Sequence, residues 1–155
     1  MRGNMETALL GSWCYFEEKD THEKYIYRTP VEHSAILKEM YFRNAFIHPT
    51  VMFRKSVLKE VGFYPKSFEY AEDYAFFWRI IRLFPCAILD ECLVTCEINK
   101  GGISYQNKGK QLIARWRVVN AFGSNLALKF IACARLILLF IIPRELTLQI
   151  KKWMT

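Results

Sequence analysis

The nineteen residues from Gly62 to Ile80, GFYPKSFEYAEDYAFFWRI, limit what this chain can become more than any other stretch. A glycine breaks the chain, a short aromatic loop with a proline follows, and two adjacent acids, Glu72 and Asp73, open an amphipathic run. From there the apolar residues Tyr74, Phe77, Trp78 and Ile81 recur at helical spacing, while Arg79 and Arg82 fall on the other side. The spacing predicts a helix with Glu72 and Asp73 in its first turn, at the edge of whatever the loop encloses. Acids in a first turn gain about 0.3–1 kcal/mol from the helix dipole and need no function. The same position suits a carboxylate that serves a cleft. Spacing alone leaves both readings standing.

With 155 residues, 52% of them hydrophobic and 15% aromatic, the chain is long enough for one sizeable core. Its net charge of +7 favours an anionic partner: nucleic acid, anionic lipid or phosphate. No cluster of Lys and Arg interleaved with aromatics is visible, so nucleic acid is not the expected partner. The five cysteines are odd in number and form no Cys-x-x-Cys. Cys92 and Cys96 have neither a second pair nor a nearby histidine to complete a metal site. Reduced, mostly buried thiols in a cytoplasmic protein are the expectation, with no metal held. Met1 to Glu6 precede only a short apolar stretch, so no secretory signal is expected.

In chain order, Ala8–Phe16 and Tyr25–Arg28 read as two strands joined by a charged loop. Glu18-x-Asp20 and His22 then belong to a solvated hairpin tip. Thr29-Pro30-Val31-Glu32 looks like a capping box, predicting a helix to about Phe42 with His33 on its surface. Asn44 to Arg54 reads as a buried strand interrupted by His48-Pro49, either at a cleft or on a plain edge. Lys55 to Val61 forms a short helix stopped by Gly62.

After Phe84-Pro85 ends the acidic helix, Cys86 to Ile98 reads as extended. Asn99 to Ser104 is a glycine loop, either a simple turn or a device that brings N–H groups to a phosphate. Helix returns from Gln111, with Leu112, Trp116, Val119 and Phe122 on one face. The apolar run Phe130–Ile142 is shorter than the ~20 residues of a membrane span, carries Arg135 and is stopped by Pro143. Lys129, Arg144, Lys151 and Lys152 flank it, with Trp153 near the end. A helix lying on an anionic leaflet and a helix packed on the body of the domain fit this pattern equally.

Four motifs stand in a definite order. They are Asn44 with His48-Pro49-Thr50-Val51-Met52-Phe53-Arg54, then Val61-Gly62-Phe63-Tyr64, then Ala71-Glu72-Asp73-Tyr74 with Trp78-Arg79, and last Gly101-Gly102-Ile103-Ser104. Together, over roughly Pro30 to Phe122, they resemble the C-terminal half of family 2 glycosyltransferases with the GT-A fold. The resemblance implies an α/β fold with residues 1–122 as the C-terminal part of a glycosyltransferase-like domain; the apolar, basic-flanked run makes 123–155 a tail helix. It implies an inverting transfer, in which an acceptor hydroxyl attacks the anomeric carbon of a nucleotide-sugar, in bacterial surface polysaccharide (lipopolysaccharide or capsule) biosynthesis. Asp73 would be the base. Glu72 would sit beside it, holding the acceptor or the loop. His48, Arg79, Gly62 and Tyr64 would line the acceptor site, and Asn99, Gly101, Gly102 and Ser104 the diphosphate. A divalent cation, Mg or Mn, would offset the charge of the leaving diphosphate in the complete enzyme. The partners it implies are the nucleotide-sugar donor and a glycan or lipid-linked acceptor; the basic-flanked tail adds an anionic membrane surface.

The chain departs from that pattern in two places. Its only aspartates are Asp20, Asp73 and Asp90, so the Asp-x-Asp metal motif of the family's nucleotide-binding half does not occur. Where many relatives carry a histidine before the late loop, this chain has Cys96-Glu97-Ile98-Asn99, with Asn99 the nearest counterpart. The expectation is therefore the acceptor-side half of an enzyme, truncated or split, binding no metal alone and inactive alone. It would be cytoplasmic and peripheral on the cytoplasmic face of the membrane. The rivals are a non-enzymatic, membrane-associated remnant or partner subunit of a split transferase, and a small basic nucleic-acid binder.

Overall fold

A computed structural model describes residues 6–19, 21–98 and 107–142. Strand β1 (Leu9–Glu18) is the one to which every other strand pairs. Strand β2 (Lys24–Tyr27) returns antiparallel to it, Cys14 opposite Tyr27 and Glu17 opposite Lys24. The two-residue β3 (Met52–Phe53) is antiparallel to its start, at Leu9 and Leu10. Strand β4 (Cys86–Ile98) runs parallel along its whole length, from Leu9 opposite Cys86 to Glu18 opposite Ile98, with register shifts around Trp13. Because β4 occupies one edge of β1 throughout, β2 and β3 share the other edge at opposite ends.

A parallel pair needs a crossover, and three α-helices lie between β1 and β4: α1 (His33–Glu39), α2 (Leu58–Val61) and α3 (Glu72–Ile81). Beyond β4 come α4 (Lys108–Phe122) and α5 (Leu126–Ile141). The described residues thus make a mixed α/β fold of four strands and five α-helices.

The core is built on α3. Seven of its ten residues are buried, Phe76, Phe77 and Ile80 completely. Phe77 meets Phe46 at 5.5 Å between ring centroids, Phe76 meets Phe53 at 5.2 Å, and Trp78 meets Tyr41 at 5.2 Å, all edge to face. Tyr74 donates its hydroxyl to the carbonyl of Met40, so the buried phenol is satisfied. The double acid opens this helix, as the spacing predicts, and the strands of the first hairpin, the short helix before Gly62 and the extended run after Pro85 are all present.

Three local readings change. Thr29 and Pro30 do not start α1, whose N-cap is Glu32 and has no side-chain cap. Residues 29–31 are used as a docking strap: the carbonyl of Thr29 accepts from Trp13 Nε1 at 2.8 Å and that of Val31 from the Ile88 N–H at 3.1 Å. Carbonyls committed to the sheet delay the helix. His33, expected on the surface, is half-buried, and its Nδ1 accepts from the Cys86 N–H at 3.2 Å.

The stretch from Asn44 to Arg54 is not one strand. His48–Thr50 is a 3-10 turn, and only Met52–Phe53 joins the sheet. Pro49 has no N–H for a ladder, and the side chain of Thr50 takes over. Its Oγ1 accepts from the Ser12 N–H at 3.2 Å, standing in for a backbone acceptor, while its hydroxyl proton has two carbonyls in reach, Ile47 at 2.9 Å and Ser12 at 3.2 Å.

Helices α4 and α5 form a hairpin pinned on Tyr41. The Tyr41 hydroxyl accepts the N–H groups of Ser124 (2.9 Å) and Asn125 (3.0 Å), while Asn125 Oδ1 caps α5 through the Leu128 N–H at 3.0 Å. Gly123 lets the turn close: a Cβ there would lie 2.6 Å from Tyr41 Cε1 and 2.8 Å from the Val119 carbonyl. Helix α4 begins at Lys108, three residues before the expected start, with Leu112 and Val119 buried and Trp116 and Phe122 half-buried. From α5, Ala132 joins the central core and Leu128 packs against it. Among the described residues no helix is long and apolar enough to cross a membrane.

Candidate active site

Asp73 is half-buried in the first turn of α3. One carboxylate oxygen accepts from the Tyr74 N–H at 2.7 Å and the other from Asn44 Nδ2 at 3.1 Å. Asn44 is itself fixed, because its Oδ1 accepts from the Phe46 N–H at 3.2 Å. Each Asp73 oxygen therefore has one neutral donor and keeps a lone pair for another.

Two further candidate side chains come from other segments. Gly62, with φ +72° and ψ −164°, turns the chain out of α2 in a conformation that side-chain-bearing residues rarely adopt. Two residues on, Tyr64 lays its ring on Phe76 at 4.4 Å between centroids, nearly parallel. Its hydroxyl lies 3.3 Å from His48 Nε2, on the 3-10 turn, and Tyr64 is 39% exposed. Burial first, and then the negative charge of Asp73, raise the Tyr64 phenol above its ordinary pKa of 10.0. At neutral pH the group stays protonated and can donate. Tyr70, two residues before α3, takes a left-handed conformation at φ +71°.

Of the candidates read from the sequence, Tyr64 and His48 meet each other, and Tyr64 lies near enough to Asp73 to feel its charge, with Gly62 turning the loop that carries Tyr64. Glu72 is half-buried in the same first turn and makes no hydrogen bond or ion pair among the described residues. Arg79 goes elsewhere. Six residues further along α3, it points about 120° away from Asp73 and lies ~9 Å along the axis. Its Nη1 donates to the Val61 carbonyl at 3.1 Å and its guanidinium lies 6.0 Å from the Phe122 ring centroid. There it borders a shallow depression of about 260 Å³ with Glu60, Val61, Arg82 and Leu83. Asn99, Gly101, Gly102 and Ser104 lie outside the described residues.

Asn44 is a site residue that sequence spacing does not single out. It touches Asp73 across the fold, and only its place at the head of the His48 motif signals a role. Among the described residues no group of three or more His, Cys, Asp or Glu side chains is placed to hold a metal ion. No family model matches the chain, and no curated protein matches it.

Proposed function

We propose that this chain is the acceptor-side half of an inverting, GT-A-type glycosyltransferase of family 2, acting in the assembly of surface polysaccharide. The observation that carries the reading is Asp73. It is a partly exposed carboxylate at a helix start, oriented by Asn44, and its charge reaches the Tyr64 phenol, whose hydroxyl in turn meets the His48 imidazole. In the proposed step the acceptor oxygen forms a bond to the anomeric carbon from the face opposite the leaving group. The bond from that carbon to the diphosphate oxygen breaks, its electron pair leaves with the diphosphate, and the acceptor proton passes to Asp73. Tyr64 and His48 hydrogen-bond the acceptor's hydroxyls, and Asn44 is a positioning residue. Asp73 is held by an amide and a backbone N–H, and Glu72 is the one other carboxylate in its helix turn. That donor set falls short of the carboxylate-rich oxygen shell that Mg²⁺ or Mn²⁺ takes, so the cation implied for the complete enzyme fits the donor-binding half instead.

The test joins this chain to a donor-binding half that carries Asp-x-Asp and compares Asp73→Asn, Glu72→Gln and Asn44→Ala. Asp73→Asn keeps size and capping ability but cannot accept the proton, and should lower the transfer rate by ~10²–10⁴-fold. Asn44→Ala leaves the base in place but unaligned and should lower kcat by up to about 10²-fold. Melting temperatures should stay close to the parent's. A rate within a few-fold of the parent for Asp73→Asn would return that acid to helix electrostatics and favour a non-enzymatic partner subunit.

A further inference from the structure

We infer that α5 is a two-sided helix whose inner seam docks on the body of the fold and whose outer face lies on an anionic lipid surface. The inference stands on α5 itself and holds whether or not the chain is a transferase. On the inner side only Ala132 and Leu136 are buried. On the outer side Leu126, Phe130, Ile131, Ile137, Leu138 and Ile141 are each between 51% and 78% exposed. At 100° per residue these six, with Ala127 and Ala134 between them, fill a continuous arc of ~140° that carries no polar side chain.

Of the two charges of the helix, Arg135 borders that arc on one side, while on the other Cys133 and the exposed Phe140 come before Lys129. Lys129 donates to the Asn120 carbonyl at 2.8 Å, and Arg135 lies 5.7 Å from the Phe42 ring centroid. Helices α4 and α5 together carry Lys108, Lys110, Arg115, Arg117, Lys129 and Arg135 and not one acid. Among the described residues none of the six is paired with a carboxylate.

Charge and shape agree on the occupant. A protein partner meets a face with about one hydrogen bond per 100–200 Å², and the side chains of this arc offer none. Acyl chains require none, and anionic headgroups match the arginine that borders the arc and the lysine that lies beyond its other edge. The helix is ~24 Å long, and no described helix can cross a membrane. It therefore lies in the interface plane.

The full chain is to be floated with vesicles of phosphatidylcholine alone and with a third of phosphatidylglycerol, alongside a measurement of its oligomeric state. We expect flotation with the anionic vesicles, weakened by salt. Phe130→Gln/Ile137→Gln/Ile141→Gln should lower vesicle affinity by more than about tenfold at an unchanged melting temperature. Lys129→Gln/Arg135→Gln, which leaves the arc intact, should lose the preference for anionic vesicles. A Phe130→Trp reporter should be open to acrylamide in the free chain and quenched by brominated lipid in the bound one. The inference falls if the parent floats with neither vesicle, or if the triple variant floats as the parent does. It also falls if the reporter is already shielded in the free chain, or if the parent is a dimer that the triple substitution dissociates.

Discussion

Gly62 shows how far a single residue's role can be read from its neighbours in the chain. Its place after an apolar run marks a helix stop, and the stop is real. What the sequence does not reveal is the conformation: φ +72° with ψ −164°, a region close to glycine-only. A Cβ at Gly62 would meet only Arg79 Nη1, at 3.8 Å, so there is room for a methyl group and the penalty is backbone strain. Gly62→Ala should therefore destabilise by ~1–3 kcal/mol, lowering the melting temperature by about 2–4 °C per kcal/mol. If the loop relaxes instead, the stacking of Tyr64 on Phe76 would be lost, so the near-ultraviolet circular dichroism should be recorded with the melt. An unchanged melting temperature and spectrum would show that the turn is not held in this conformation. Asp73 is likewise legible, because acids ahead of a periodic apolar run signal a helix start. Asn44 is not, since nothing in local spacing reports which distant amide will meet a carboxylate.

Among the elements, those with strong periodicity or clean punctuation are legible in the sequence: α3, β4, the β1–β2 hairpin and the turn at Gly62. The two segments that differ do so for one reason, namely that tertiary hydrogen bonds override local signals. The box at Thr29 is overruled because the Thr29 and Val31 carbonyls bond to Trp13 and Ile88. The expected strand around Pro49 is replaced by a side-chain rung from Thr50. That replacement gives a test at this scale. Thr50→Val keeps the shape but leaves the buried Ser12 N–H without its acceptor, and should cost ~1–3 kcal/mol. Thr50→Ser keeps the hydroxyl and should cost clearly less. Equal losses in denaturant melts would mean that Thr50 acts through its methyl group and not as a rung.

For the whole molecule, burial gives a pH dependence with a definite sign. It pushes the Tyr74 phenol from 10.0 to about 12 and the Cys86 thiol from 9.0 to about 12. Cys14, also fully buried, is raised by burial and then by Cys96 and Cys92. The folded chain keeps these protons at a pH where the unfolded chain releases them. Their contribution is complete below about pH 9 and is lost as the pH rises toward 12. Melting temperature should be insensitive to these groups from pH 7 to 8.5 and fall progressively above pH 9. In Tyr74→Phe the part of that fall that begins near pH 10 should shrink. A melting temperature flat to pH 11 would show that these groups titrate as they do in the unfolded chain.

The position of β1 at the centre of every strand pairing has a consequence for how the protein is made. As the chain leaves the ribosome, β1 can close its hairpin with β2 at once. Its full-length neighbour β4 is encoded roughly 80 residues later, from Cys86 onward. At about 5–20 residues per second, an apolar strand edge waits open for ~4–16 s of synthesis. Among the described strands, then, β1 is the one whose long partner arrives latest, and the one that gains most from a chaperone's cover while it waits.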